Sequence, residues 1–166
     1  MITFPTADVS DEPGKSTMKF FDFEEVAAEI ARNSEDPSDM INARNIAMGQ
    51  EFPRAVKEAG FFLLKPGSAL DLSGIPRALV VGIEIWSPQD LSGIDSLANR
   101  IGVNSLPVYV FDLDEWFNSG ELDRVLPGII PRCTPVFVEY RDGRVVDAKE
   151  RQEALIRMNQ APSLAS

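Results

Sequence analysis

The chain has 166 residues, 44% of them apolar, and a formal net charge of −10. That size suits one domain or one domain with an extension, and the apolar share is enough for a core, which argues against wholesale disorder. An acidic chain without a basic cluster argues against binding a nucleic-acid backbone or an anionic membrane.

Histidine is absent and Cys133 is the single cysteine. These two facts exclude a Ser-His-Asp triad, a Cys-His dyad, a histidine-bearing zinc site and any intramolecular disulfide. No apolar run approaches the ~18 residues of a membrane span. The first residues, Met1-Ile2-Thr3-Phe4-Pro5, lack the basic and apolar regions of a signal peptide. The expectation is a cytoplasmic protein without cofactor, metal, nucleic acid or membrane partner.

Residues 1–17 carry Pro5, Asp8, Asp11, Glu12, Pro13 and Gly14 and read as a loose arm. From Asp22, a candidate N-cap, Phe23, Val26, Ala27 and Ile30 share one helical face. A second helix is expected over 37–50, capped by Asp36 with Pro37 in its first turn. Pro53 is expected to start a separate short helix that Gly60 ends. Phe61-Phe62-Leu63-Leu64 reads as a short strand whose phenylalanines enter the core, and residues 65–77 as a loop.

The body then alternates. Residues 78–85 are almost continuously apolar, as in a central strand covered on both faces. Ser87-Pro88-Gln89-Asp90 reads as a helix start, with Ser87 as cap and Pro88 first in the helix. Leu91, Ile94, Leu97, Ala98 and Ile101 would face inward, and Gly102 would end the helix. A strand follows over 106–113, a turn over 115–120 and a short helix over 121–126. Thr134-Pro135 opens the run Val136-Phe137-Val138-Glu139-Tyr140. Asp142-Gly143 after it is a strong hairpin signal, and Arg144-Val145-Val146 pairs back. Proline gives the ladder no donor, so Pro135 belongs at the strand's first residue, where a turn can hold a cis bond. A last helix is expected from about residue 148, with Ala154, Leu155 and Met158 inward and frayed residues from 160 on.

A strand–helix–strand unit implies a parallel pair, and the hairpin adds two antiparallel strands. The order, with these motifs, resembles the thioredoxin-like superfamily over about residues 61–160. Trp86 ends a strand before a helix start, Phe111-Asp112-Leu113-Asp114 ends the next strand, and Arg132-Cys133-Thr134-Pro135 looks like the loop before the family's cis-proline. The resemblance implies an α/β fold, a thioredoxin-like mixed central sheet flanked by helices. Residues 1–60 would form an N-terminal arm and helical extension, and 61–166 the thioredoxin-like domain.

The departures concern the chemistry. The family's Cys-x-x-Cys falls on Ser87-Pro88-Gln89-Asp90, and its buried aspartate falls on Val81. Dithiol exchange needs a thiolate at the helix start and a second thiol to resolve the mixed disulfide, and a serine hydroxyl supplies neither. Cys133 reads as a half-buried small residue; the alternatives are a reactive thiol, its acidity raised by Arg132, or a site of intermolecular disulfide. Ser87 and Asp90 read as caps; the alternative is an activating hydroxyl like that of glutathione transferases. Asp112, Asp114 and Glu115 read as a solvated acidic turn, or else as ligands for a hard cation. Trp86, Trp116 and Phe117 are candidate edge aromatics, with at least one expected in the core.

The expectation is therefore a redox-inactive, chaperone-like module. It would bind another protein's extended segment through Trp86, Ser87, Cys133, Thr134 and Pro135. The alternative is a monothiol oxidoreductase or peroxide-handling enzyme using Cys133.

Overall fold

The computed structural model describes residues 19–68, 70–101 and 106–160. The expectations for residues 1–17, Gly102 and 161–166 lie outside the described residues. Five strands form one sheet in the order β1-β3-β2-β4-β5. They are β1 (Phe62–Leu63), β2 (Arg77–Ile83), β3 (Val108–Asp112), β4 (Val136–Arg141) and β5 (Arg144–Glu150). β1, β3 and β2 run parallel, and β4 is antiparallel to both β2 and β5. With helices on both faces, this is the thioredoxin-like α/β arrangement, and it carries a helical N-terminal segment.

Strand periodicity divides the core in two. Leu79, Val81, Ile83, Val108, Val110 and Phe137 fill one face, and Val80, Phe111, Val136, Val138 and Tyr140 fill the other. The first face is covered by α1 (Glu24–Arg32), α2 (Met40–Glu58), α3 (Pro88–Arg100) and α5 (Arg151–Asn159). The second is covered by α4 (Leu113–Ser119) and the 3-10 turn Leu122–Arg124. Ala27, Ala31, Ala43, Ala47, Phe52, Ala55 and Val56 join the same apolar cluster as the sheet's first face, so the N-terminal helices pack on it.

Several local expectations change. Helix α1 has Phe23 at its cap position, while the Asp22 carboxylate accepts from Glu24 N–H at 3.2 Å. The two helices expected on either side of Pro53 are one, α2, which starts after Asp39 rather than Asp36. Asp39 accepts from Asn42 N–H at 3.1 Å, whereas Asp36 bonds the Ser38 turn. Proline removes one helical hydrogen bond, but Phe52, Ala55 and Val56 bury on the face begun by Ala43 and Ala47, and that burial outweighs the break. Gly60, at φ 83°, then ends the helix as expected. Phe61 N–H reaches Val56 O at 3.0 Å, and Gly60 N–H reaches Lys57 O at 3.0 Å, the paired bonds of a left-handed C-terminal turn.

Strand β1 is shorter than expected. Phe61 is buried, but Phe62 is exposed and stacks on Tyr109, its ladder partner, at 5.2 Å between ring centres. The expected turn at 115–120 is helix α4, because Asp112 accepts from Asp114 N–H at 3.1 Å and caps it. Strand β5 runs to Glu150, so α5 begins later than expected. In the hairpin, Asp142 and Gly143 have φ of 52° and 79°, the pair of positive values that a tight two-residue turn requires.

Gly82 in β2 sits opposite Phe111 in β3. A Cβ there would stand 2.6 Å from Phe111 Cζ, and that ring is fully buried. Gly82→Ala should therefore destabilise the fold by about 1–3 kcal/mol in urea unfolding, the usual cost of overpacking.

Candidate functional site

Register brings the candidate residues to one end of the sheet. Ile83 pairs with Asp112, and Gly82 pairs with Val136. The segment after β2, the end of β3 and the loop before β4 therefore converge there. Trp86, Ser87, Cys133, Thr134 and Pro135 all lie in those segments, and the Thr134–Pro135 peptide bond is cis.

Trp86 is 57% exposed, and its indole Nε1–H donates to Asp114 Oδ2 at 3.2 Å. Trp116, by contrast, is fully buried, while Phe117 stands exposed on α4. Ser87 caps α3: its Oγ accepts from Asp90 N–H at 3.3 Å. Asp90 is only 2% exposed, and its Oδ2 accepts from Glu84 N–H at 3.0 Å. Serine and aspartate thus tie the segment after β2 to the helix start, and Ser87 Oγ serves the backbone.

Cys133 is half-buried. Its N–H and that of Arg132 donate to Glu150 Oε1, at 3.1 and 2.7 Å. Cys133 Sγ lies 3.7 Å from the same oxygen. Reactive cysteines sit beside cations or helix starts; this sulfur faces a carboxylate. Pro135 is buried and Thr134 half-buried, and Arg151 N–H donates to Pro135 O at 2.9 Å. Arg151 takes φ 55°, a left-handed value costly for a non-glycine residue. Glu150 and Arg151 together hold the loop that presents Cys133 and Thr134. Sequence reasoning missed Glu150, because only folding sets the end of β5 against that loop.

Carboxylates dominate the same end. Burial, then Asp114, Asp90 and Asp112, push Glu84 above the ordinary carboxylate range. Burial is also the first cause raising Asp112, reinforced by Asp114 and Glu115. Each acid of the expected acidic turn has another use: Asp112 caps α4, Asp114 bonds Trp86, and Glu115 pairs with Lys65 at 3.3 Å. Among the described residues no three acids, cysteines or histidines converge to hold a metal ion.

The raised Asp112 makes a pH prediction. Its native value lies above the ordinary 3.8, so protonation favours the fold. That stabilisation is complete below 3.8 and is lost as pH rises through the native value. Asp112→Asn keeps a capping oxygen and stays neutral. It should raise the melting temperature at pH ~7, with the gain shrinking as pH falls toward the ordinary carboxylate value.

A groove of about 940 Å³ opens beside Trp86. One wall is the outer face of α3, and the other is α2 with the segment leading into α1. Phe20 and Phe21 N–H donate to Asp95 Oδ1 at 2.6 and 3.2 Å, fixing that segment to α3. Among the described residues no helix is long and apolar enough to cross a membrane.

No protein-family model matches the chain, and no curated protein matches it. Among solved structures, it is similar to a mutant thioredoxin from Halobacterium salinarum NRC-1 at 16% identity, over 64% of this chain and 91% of that one, with a TM-score of 0.47.

Proposed function

We propose that this chain is a redox-inactive binding module that docks an extended segment of another protein across the end of the sheet. The contact residues would be Trp86, Ser87, Cys133, Thr134 and Pro135, and the role would be chaperone-like. The observation that carries this reading is the exposed Trp86 at the end of the sheet where the loop before β4 also lies. A half-exposed indole is a strong contact group for a partner chain. Residues 87–90 contain no thiol, and Cys133 lies against the Glu150 carboxylate, which supports binding over exchange.

The test is affinity capture from the native source with wild type and with the Trp86→Ala/Thr134→Arg variant. Loss of a wild-type partner by the variant, at roughly tenfold or more in recovery, is the expected result for a central interface group. Equal recovery of every partner would place binding elsewhere. Insulin reduction is the companion assay. Turnover by wild type that vanishes in Cys133→Ser would replace this reading with a monothiol enzyme.

A further inference from the structure

The groove beside Trp86 is built from two helical faces. Ile41, Asn45 and Met48 recur at helical spacing along α2, and Pro88, Leu91 and Asp95 do so along α3. Ile41 is 74% exposed, and Trp86 stands at the groove's end next to the start of α3. A helix of three turns is ~16 Å long and ~10 Å across, a volume on the order of 1,200 Å³. The groove, at about 940 Å³, is of the same order.

Trp86 joins this groove to the acidic end of the sheet through its bond to Asp114. Glu84, Asp112 and Asp114 belong to no ion pair among the described residues; the nearby lysine, Lys65, is taken by Glu115. Burial first, and then the charges of Asp114, Asp90 and Asp112, hold the Glu84 carboxyl above the ordinary range. Within the groove the charges are mixed: Arg44 is held by Glu24 at 3.0 Å, and Lys19 lies near Asp95. Charge complementarity therefore calls for cations at the Trp86 end and apolar side chains along the groove. A lysine or arginine there would also meet the exposed face of the indole.

We infer that the docked partner segment carries a basic cluster followed by an amphipathic helix, with the cations facing Glu84, Asp112 and Asp114 and the helix lying between α2 and α3. This rests on the docking reading above and adds the partner's chemistry and the path it takes.

The test is fluorescence anisotropy of the full chain with two labelled synthetic peptides. Both carry a leucine-rich amphipathic helix of about three turns; one has a lysine head and the other a glutamate head. The lysine probe should bind at least about tenfold tighter, and the preference should shrink at high salt. Ile41→Glu changes an exposed side chain, so the fold is retained, and it should weaken the lysine probe by about tenfold. Glu84→Gln/Asp114→Asn should weaken the lysine probe and tighten the glutamate probe, so that the preference between them shrinks.

Equal affinity for the two probes, or no binding by the full chain, overturns the inference. So does self-association that Ile41→Glu abolishes without any probe binding, which would assign the groove to a second copy. Thr134→Arg separates the two readings. Lysine-probe binding lost in Thr134→Arg but unchanged in Ile41→Glu would keep docking at the sheet end and overturn the groove. Binding sensitive to Ile41→Glu and indifferent to Thr134→Arg would keep the groove and remove docking at the sheet end.

Discussion

Trp116→Ala is expected to destabilise the protein by about 3–5 kcal/mol, the cost of removing a large aromatic from a packed core. Trp116 is fully buried, meets Phe111 edge-on at 6.1 Å between ring centres, and donates its Nε1–H to Leu64 O at 3.1 Å. Leu64 N–H is itself bonded to Val110 O at 2.8 Å, so the indole ties α4, β3 and the chain after β1 into one layer. Trp116→Phe keeps much of the volume and leaves the Leu64 carbonyl without its donor. Its cost should fall to about 1–3 kcal/mol, the range for one unsatisfied buried polar group. Urea unfolding should rank the variants in that order. Equal costs would mean that the hydrogen bond both variants lose accounts for the whole effect and that ring packing adds nothing to it.

The substitution also reaches the candidate site. Helix α4 carries Asp114, the acceptor for the Trp86 indole. The chain has two tryptophans, so in either variant Trp86 is the only one left. If α4 loosens, Trp86 loses its acceptor. Its fluorescence in Trp116→Ala should then shift to longer wavelength than in Trp116→Phe, below the unfolding transition.

What could be read from the residues alone depended on short-range chemistry. The cap at Ser87-Pro88, the turn at Asp142-Gly143 and the apolar run of β2 announce themselves within a few residues, and each stands where expected. The errors arise where distant partners decide. Pro53 looks like a break until the burial of Phe52, Ala55 and Val56 is known. Residues 115–120 look like a turn because the seven-residue helix Leu113–Ser119 has little periodicity to show. At the site, Trp86 and the loop before β4 follow from order along the chain, since strand neighbours bring them together. Glu150 and the groove between α2 and α3 do not follow from order. One depends on where β5 ends, and the other on how an N-terminal helical pair settles against a face that the sheet could have covered otherwise.

Glu139→Ala should cost about 3–5 kcal/mol, because it leaves a largely buried arginine without its counter-ion. Glu139 is 5% exposed, and its Oε2 accepts from Arg77 Nε at 2.7 Å and Arg141 Nε at 2.9 Å. Arg141 is half in solvent and can rehydrate. Arg77 cannot: its side chain is 16% exposed, and its Nη2 is buried with no hydrogen-bond partner among the described residues. The pair is therefore tolerated rather than strongly stabilising, and an apolar replacement of both members is the discriminating experiment. Arg77→Met/Glu139→Leu should be much more stable than Glu139→Ala, and the cycle closed by the single variants Arg77→Met and Glu139→Leu should give a coupling energy of about 2 kcal/mol or more. Additive losses would instead mean that each side chain stabilises the sheet through its own packing. Arg77 begins β2 and Glu139 lies past the middle of β4, at the opposite end of the strands from Trp86 and Pro135. Peptide binding measured well below the melting temperature should then be unchanged in the double variant, which separates damage to the scaffold from damage to the docking surface.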